Sequence, residues 1–275
     1  MRKTLIVCCA LEIILAGLIG IGCNKSNASL DSDTSSAMEN EEAEFISADA
    51  LNMADAAAKG QISFKRGPAF ALLGGPCATI TLVSGADTSR KTLTIDFGAT
   101  NCQCADLRNR RGKISVTWTG GYFVPNVTKT IAFSNYYVNN NRVNGSKTIT
   151  NNAKNAAGNW SWTINVQNMK VTHTDSSWFT WSSSRVRELI ADSVNWMKNV
   201  YSQTGSASGS DNAHVGFSAT ITKPIIKANN CQWIQSGTFT LTPTGKVVRT
   251  LDFGNGCNNM GTVTIGSNTF HFIKH

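Results

Sequence analysis

After residue 76 the sequence alternates apolar and polar residues with a period of two, and this alternation limits the body of the chain to β-structure. In one run Ile114, Val116 and Trp118 alternate with serine and threonine, and residues 215–221 repeat the pattern. Gly-Gly, Ser-Gly and Asn-Asn-Asn turns separate such runs, and no helical period lies between them. Closely spaced strands without intervening helices form antiparallel sheets. The sequence therefore predicts a mainly β fold, an antiparallel β-sandwich or open-barrel-like body over residues 70–275.

A helical period precedes this body, over residues 36–60. Ser36 and Glu39 fit a capping box at its start, and Lys59 suits its C-terminal end. Apolar residues recur on one face at helical spacing: Phe45, Ile46, Ala50, Met53, Ala54 and Ala57. We therefore expect one N-terminal amphipathic helix that packs on the body.

The first residues have the features of an export signal. A basic start is followed by an apolar run from Leu5 to Ile21, and small residues precede Cys23. This order is typical of a bacterial lipoprotein signal over residues 1–22, in which Cys23 receives the lipid. The polar residues 23–35 then form a flexible tether. An uncleaved membrane anchor and an ordinary secretory peptide are the alternatives. We expect the membrane to be a partner, through an N-terminal lipid anchor.

Charge is distributed unevenly along the chain. Residues 24–55 contain eight acidic residues and one basic residue, whereas 22 basic and 8 acidic residues follow from residue 56 onward. A basic body can attract anionic glycans or other envelope polymers, but scattered charges are more typical of a soluble surface.

One dense basic cluster, RNRRGK, stands at residues 108–113. Its four charged side chains are candidates for an anion site: Arg108, Arg110, Arg111 and Lys113. The alternative is an exposed loop that enters a strand. No aromatic residue interrupts the cluster, so nucleic acid is not expected as a partner.

Two similar stretches, KTLTIDFGATNC at 91–102 and VVRTLDFGNGC at 247–257, mark the two ends of the body. Asp-Phe-Gly also occurs in protein kinases, but the glycine-rich loop and the His-Arg-Asp loop of a kinase are absent from this sequence. In an alternating strand the phenylalanine is a core anchor. Asp96 and Asp252 are therefore predicted to accept turn amides or a cross-strand arginine. The units 77–118 and 231–275 are predicted to be matching hairpins.

The cysteines of these units can form disulfides if the protein is exported. The repeat predicts that Cys77 pairs with Cys102 and that Cys231 pairs with Cys257. Cys104 remains, and it is either free or replaces Cys102. The single residue between Cys102 and Cys104 is shorter than the usual spacing of metal ligands, so neither a metal nor a cofactor is predicted.

Several segments resemble a family of uncharacterised lipoproteins that is widespread in Bacteroidetes. They include CATITL from Cys77, TIDFG at 94–98, AFSNYYVNNNRVNGSKTITN at 132–151 and GSASG at 205–209. The resemblance covers most of the chain from the helix onward. It implies an outer membrane lipoprotein, on the periplasmic side or the cell surface, and it implies no established activity.

The function that these features favour is non-catalytic: a cell-envelope lipoprotein with a structural, adhesive or ligand-binding role. One alternative is a glycan-active or other hydrolytic enzyme, for which His173 and Asp175 are the nearest base and orienting group. A turn is predicted at these two residues, which argues against catalysis. Tryptophans of the middle third either stack on sugars or pack in the core, and Trp160 and Trp162 share a predicted strand face with apolar residues. The other alternative is a binder of anionic envelope polymers through a basic face.

Overall fold

The structure of the chain is a computed structural model that describes residues 31–62, 77–85 and 89–275. The predicted signal 1–22, the lipidation site Cys23 and the first part of the tether lie outside the described residues, as does the start of the predicted body at residues 70–76.

In the described ranges the chain forms one α-helix, α1 (Ser35–Ile62), one 3-10 turn (Trp196–Lys198) and fourteen strands. The strands are β1 (Thr79–Ser84), β2 (Arg90–Asp96), β3 (Cys102–Gln103), β4 (Asn109–Thr119), β5 (Thr128–Val138), β6 (Asn141–Asn151), β7 (Ser161–Thr172), β8 (Trp178–Ala191), β9 (Val200–Asp211), β10 (Gly216–Ala228), β11 (Ser236–Pro243), β12 (Arg249–Asp252), β13 (Met260–Ile265) and β14 (Asn268–Ile273).

All fourteen strands belong to a single antiparallel sheet. Its order is β1-β2-β4, then every strand in sequence to β14, with the short β3 beside β4. The sheet is not closed, because β1 and β14 each have one neighbour. Tight turns connect adjacent strands: Asn139 and Asn140 join β5 to β6 with φ angles of 47° and 69°, which asparagine tolerates better than most residues. The predicted antiparallel, open β-body with one N-terminal helix is confirmed.

The sheet curves around α1. Within one helical turn, Glu41 contacts the segment that follows β14, Glu42 contacts the first residue of β6, and Glu44 contacts the middle of β8. Successive residues of an α-helix point about 100° apart, so these three side chains leave the helix in different directions. Because each of them meets the same sheet, the sheet must surround the helix on several sides.

The apolar face of α1 is buried as the sequence predicts. Ile46, Ala50, Met53, Ala54 and Ala57 are at most 3% exposed and belong to one core with the inward residues of the sheet. Phe45 is only partly buried. The helix begins one residue before the predicted start, where the carbonyl of the preceding threonine accepts the amide of the fourth helical residue.

The acidic residues of α1 are buried as well, which the sequence pattern did not indicate. Glu41, Glu42, Glu44 and Asp49 are all at most 7% exposed. A buried carboxylate requires a charged or hydrogen-bonding partner, and the strands supply one to Glu42, Glu44 and Asp49, whereas the segment after β14 supplies one to Glu41. Part of the basic excess of the body therefore lies inside the protein, where it neutralises the helix, rather than on its surface.

The last residues of the predicted tether also pack on the body. A carboxylate oxygen of Asp31 accepts a hydrogen bond from the buried Arg249 at 2.8 Å, and Asp33 pairs with Lys246. Residues 31–35 are therefore held in place, and the prediction of a flexible tether is wrong for this part of the segment.

Both predicted disulfides are present, Cys77–Cys102 and Cys231–Cys257. Cys104 is a free, buried thiol, so it does not replace Cys102 as the partner of Cys77. Burial raises the pKa of this thiol. Disulfides form and persist in oxidising compartments, which indicates a protein located outside the cytoplasm. Among the described residues, no helix has both the length and the apolar character of a membrane span.

The two Asp-Phe-Gly stretches have the same local geometry. The carboxylate of Asp96 accepts the amide of Gly98 at 2.9 Å, and that of Asp252 accepts the amide of Gly254 at 2.7 Å. Both glycines have positive φ angles, 80° and 70°, which glycine adopts without strain. The phenylalanine after each aspartate is at most 4% exposed. The predicted roles of a turn acceptor and a core anchor are confirmed at both ends of the body.

Candidate ligand site between the helix and the sheet

The basic cluster at 108–113 divides between two environments. Arg110 is fully buried on the inner side of β4, where its Nη2 binds Asp49 at 2.8 Å and Asp106 at 2.7 Å. Arg108 is 9% exposed and binds Asp106 at 2.9 Å. Both guanidinium groups are therefore occupied by carboxylates of the chain itself.

The other two members of the cluster lie on the outer side. The guanidinium of Arg111 covers the ring of Tyr137 at 3.7 Å, and Lys113 pairs with Asp96 at 2.8 Å. Adjacent strand positions face opposite sides of a sheet, so these four cations cannot converge on one ligand. The interpretation of the segment as an exposed loop is wrong, and a joint anion site of all four is not formed.

Between α1 and the sheet, three adjoining cavities form the candidate site. The outer compartment measures about 200 Å³ and lies between α1, the 3-10 turn and the β10–β11 loop. The inner compartment measures about 50 Å³ and lies between α1 and strands β6 to β10. A third cavity of about 20 Å³ continues toward Asp55. The outer and inner compartments share Ala48, Asn52 and Lys227 as walls, so they adjoin.

Two lysines of the inner compartment bind neutral oxygens only. Lys147, which is 3% exposed, donates to the carbonyl and the hydroxyl of Ser47 at 2.8 and 2.9 Å. Lys227 donates to the carbonyls of Cys231 and Gln232 at 2.7 and 2.9 Å. Neither ammonium group forms an ion pair with a described carboxylate, although Lys147 is buried and Lys227 is partly buried.

A third cation, Arg187, lines both the inner compartment and the adjoining third cavity. Its guanidinium lies over the ring of Tyr201 at 3.7 Å. Within the described ranges it has no hydrogen bond and no ion pair; Asp55, which lines the third cavity with it, accepts a hydrogen bond from Tyr122. An arginine stacked in this way keeps its N–H edge free for an anion.

The carboxylate of Glu44 does not balance these three charges. It is the one described carboxylate that lines the inner compartment. Its oxygens already accept hydrogen bonds from Arg185 at 2.9 Å and from Gln203 at 3.1 Å. The inner compartment therefore has an excess of positive charge over its own negative charge.

The pKa values of Lys147, Arg187 and Lys227 are all lowered in this environment. Burial, and after it the charge of Arg187, lower the pKa of Lys147 to about 7. The pKa of Lys227 is lowered to about 7 by the same two causes in the same order, and burial lowers the pKa of Arg187. Desolvation thus acts on all three groups, and the charge of Arg187 also acts on both lysines. An anion in the compartment would relieve both.

The outer compartment has a different character. Phe45, Trp196 and Met197 supply apolar walls. Its two aspartates, Asp49 and Asp106, are paired with the arginines of β4 and the segment before it. It therefore offers apolar surface without a net excess of charge beyond Lys227 at its boundary.

Ser177, His173 and Glu42 are linked by hydrogen bonds in the order of a serine hydrolase triad. His173 lies 2.9 Å from Glu42 through Nε2 and 2.9 Å from the Ser177 hydroxyl through Nδ1. The Ser177 hydroxyl donates to Asp175 at 2.7 Å, and that carboxylate also accepts the Ser177 amide. Ser177 lines neither the three cavities of the candidate site nor the two shallower surface pockets at residues 182–220 and 90–130. We assign these residues to a turn that anchors α1 rather than to an acyl-transfer site.

The tryptophans of the middle third do not form a sugar-binding groove together. Trp181 is 1% exposed, and its indole N–H donates to Asn40 of α1 at 3.1 Å. Trp162 packs against the core. Trp160 is 37% exposed and precedes β7, so it does not share a strand face with Trp162 as the alternation suggests. Among the described residues, no group of three or more His, Cys, Asp or Glu side chains could hold a metal ion.

Sequence reasoning missed the three cations of the inner compartment. The sequence contains a signal for one of them, because Lys147 lies two positions before Ile149 on β6 and therefore on the same buried face of the strand. A basic residue on the buried face of an alternating strand indicates an internal partner. No known protein family, curated protein or solved structure matches this chain.

Proposed function

We propose that the protein is a non-catalytic cell-envelope lipoprotein that binds a small anionic ligand in the inner compartment. The observation that carries the proposal is the convergence of Lys147, Arg187 and Lys227 on one cavity without carboxylate partners. Isolated buried charges are costly, and a bound anion is the partner that this geometry lacks. The dimensions of the compartments suit a small molecule rather than a polymer.

The location in the proposal rests on two features. The apolar segment before Cys23 predicts lipidation and attachment to a membrane, and the resemblance to the Bacteroidetes lipoprotein family implies that this is the outer membrane. The two disulfides support an extracytoplasmic location. Membrane fractionation of a Cys23→Ala variant tests the anchor: we expect the variant in the soluble fraction. Continued membrane association would support an uncleaved anchor instead.

Anion binding is tested by isothermal titration calorimetry of the full chain in nanodiscs of neutral lipid, with empty nanodiscs subtracted. The probes are butyrate, inorganic phosphate and decanoate. Arg187→Gln removes the unpaired charge, and we expect it to weaken the binding of an anion about tenfold or more. Arg111→Gln is the matched control, because Arg111 also covers a tyrosine ring at 3.7 Å but lies outside the compartments.

The two variants separate the proposal from a general charge effect. Equal weakening by Arg187→Gln and Arg111→Gln would mean that the anion binds to the surface. The proposal fails if none of the three probes binds, or if Arg187→Gln binds them as tightly as the unaltered chain.

A further inference from the structure

The inner and outer compartments adjoin along shared walls and differ in chemistry. Ala48 and Asn52 of α1 line both compartments, so the boundary between the compartments lies beside two small or medium side chains of the helix. The inner end contains the three cations that lack carboxylate partners. The outer end is bordered by Phe45, Trp196 and Met197. A ligand that fits both ends must carry a negative charge and an apolar part.

The volumes of the two compartments also suit a small charged group at the inner end and a larger apolar part at the outer end. A buried water needs about 10–15 Å³ of such volume, so the inner 50 Å³ accepts on the order of four water-sized groups. The outer 200 Å³ accepts on the order of fifteen. A carboxylate fits the inner compartment, and a hydrocarbon chain of about ten carbons fits the outer one.

We infer that the ligand is a medium-chain carboxylate, whose head group lies among Lys147, Arg187 and Lys227 and whose chain extends past Ala48 to Trp196 and Met197. This inference rests on the proposed function, because it names the class of anion that the inner compartment takes. Lys227 stands at the boundary of the two compartments, beside the position where head group and chain meet.

The walls explain why such a ligand would bind more tightly than a short anion. A short anion satisfies the cations but leaves Phe45, Trp196 and Met197 exposed to water in the outer compartment. Each additional buried methylene strengthens binding about fourfold. Exposed Asn230 and Gln232 on the outer wall place the route of entry at the β10–β11 loop.

The test compares decanoate, butyrate and 1-decanol by calorimetry on the full chain in neutral-lipid nanodiscs. Decanoate has six more methylenes than butyrate, so at about fourfold each a fully buried chain binds roughly 4,000-fold more tightly, and we expect a gain of at least about 100-fold. 1-Decanol keeps the chain and loses the charge, so we expect its binding to be about tenfold weaker than that of decanoate, or weaker still.

A variant of this boundary separates the chain from the head group. Ala48→Met narrows the space at the boundary between the compartments without changing any charge, so decanoate binding should weaken about tenfold while butyrate binding stays within about twofold. Arg187→Gln should instead weaken both. Thermal unfolding followed by tryptophan fluorescence identifies any variant that has lost its fold. If Ala48→Met does not fold, Ala48→Ser replaces it as a smaller change at the same position. The expected loss of decanoate binding is then proportionally smaller.

The outcomes distinguish the two levels of the proposal. Butyrate or phosphate binding as tightly as decanoate, with sensitivity to Arg187→Gln, overturns the medium-chain ligand and leaves anion binding in place. 1-Decanol binding as tightly as decanoate overturns both, because the cations would then play no part. Absence of binding by all probes also overturns both.

Discussion

Replacement of Glu44 by alanine is the perturbation that tests most directly whether the sheet encloses the helix. Glu44 is 5% exposed, and its partner Arg185 is 2% exposed. One carboxylate oxygen of Glu44 accepts from Arg185 at 2.9 Å, and the other accepts from Gln203 at 3.1 Å. Its removal leaves the guanidinium of Arg185 buried without a counter-charge. Breaking a buried ion pair in this way costs about 3–5 kcal/mol in the free energy of unfolding.

Urea denaturation followed by tryptophan fluorescence measures this loss. The matched control is Lys113→Ala, which breaks an ion pair whose side chains are 53% and 31% exposed. An exposed pair contributes about 0–1 kcal/mol, so the control should unfold close to the unaltered chain. The double variant Glu44→Leu with Arg185→Met removes both charges and should recover most of the lost stability.

Two results would refute this reasoning. A loss of less than about 1 kcal/mol for Glu44→Ala would mean that water reaches Arg185, and that the sheet does not surround the helix at this level. A double variant as unstable as Glu44→Ala would mean that packing, not the unpaired charge, causes the loss.

Three further predictions concern other sites. Burial raises the pKa of Glu39 to about 7. Above the ordinary pKa of a glutamate the unfolded state releases this proton more readily than the folded state, so the ionised side chain destabilises the fold at pH 8. Glu39→Gln should therefore raise the melting temperature at pH 8 but not at pH 4, and equal shifts at both pH values would contradict this. Replacing Cys231 and Cys257 with serine opens a loop of 26 residues, and urea denaturation should show a loss of about 3 kcal/mol. Decanoate should bind more tightly at pH 6 than at pH 8, because a bound carboxylate favours the protonated forms of Lys147 and Lys227, whose pKa values are about 7.

Much of the fold could be predicted from local patterns. The alternation of Ile114, Val116 and Trp118 depends only on the strand period, and all three are buried in the structure. The cysteine pairs follow from a repeat of two hairpins, each of which closes a short loop. Such features involve residues that are close in sequence, so their geometry is set by the backbone period and the turn chemistry.

The candidate site could not be predicted in the same way. Ser47 and Lys147 are 100 residues apart, and Glu44 and Arg185 are 141 residues apart. The acidic helix and the basic body are both visible in the sequence, but their charges alone do not indicate that one lies inside the other. From the sequence alone, a charged residue on a strand is expected at the surface, because most charged residues of proteins lie there.

The sequence by itself determined the strands, the helix, the Cys231–Cys257 pair and the roles of Asp96 and Asp252 in turns, and it left Cys102 or Cys104 as the partner of Cys77. Only the tertiary structure decided that the sheet curves around α1 and that Lys147, Arg187 and Lys227 meet at one cavity. A period of two assigns side chains to two faces of a sheet but does not say which face becomes concave. That choice depends on the twist accumulated over many strands and on the helix that the inner face surrounds.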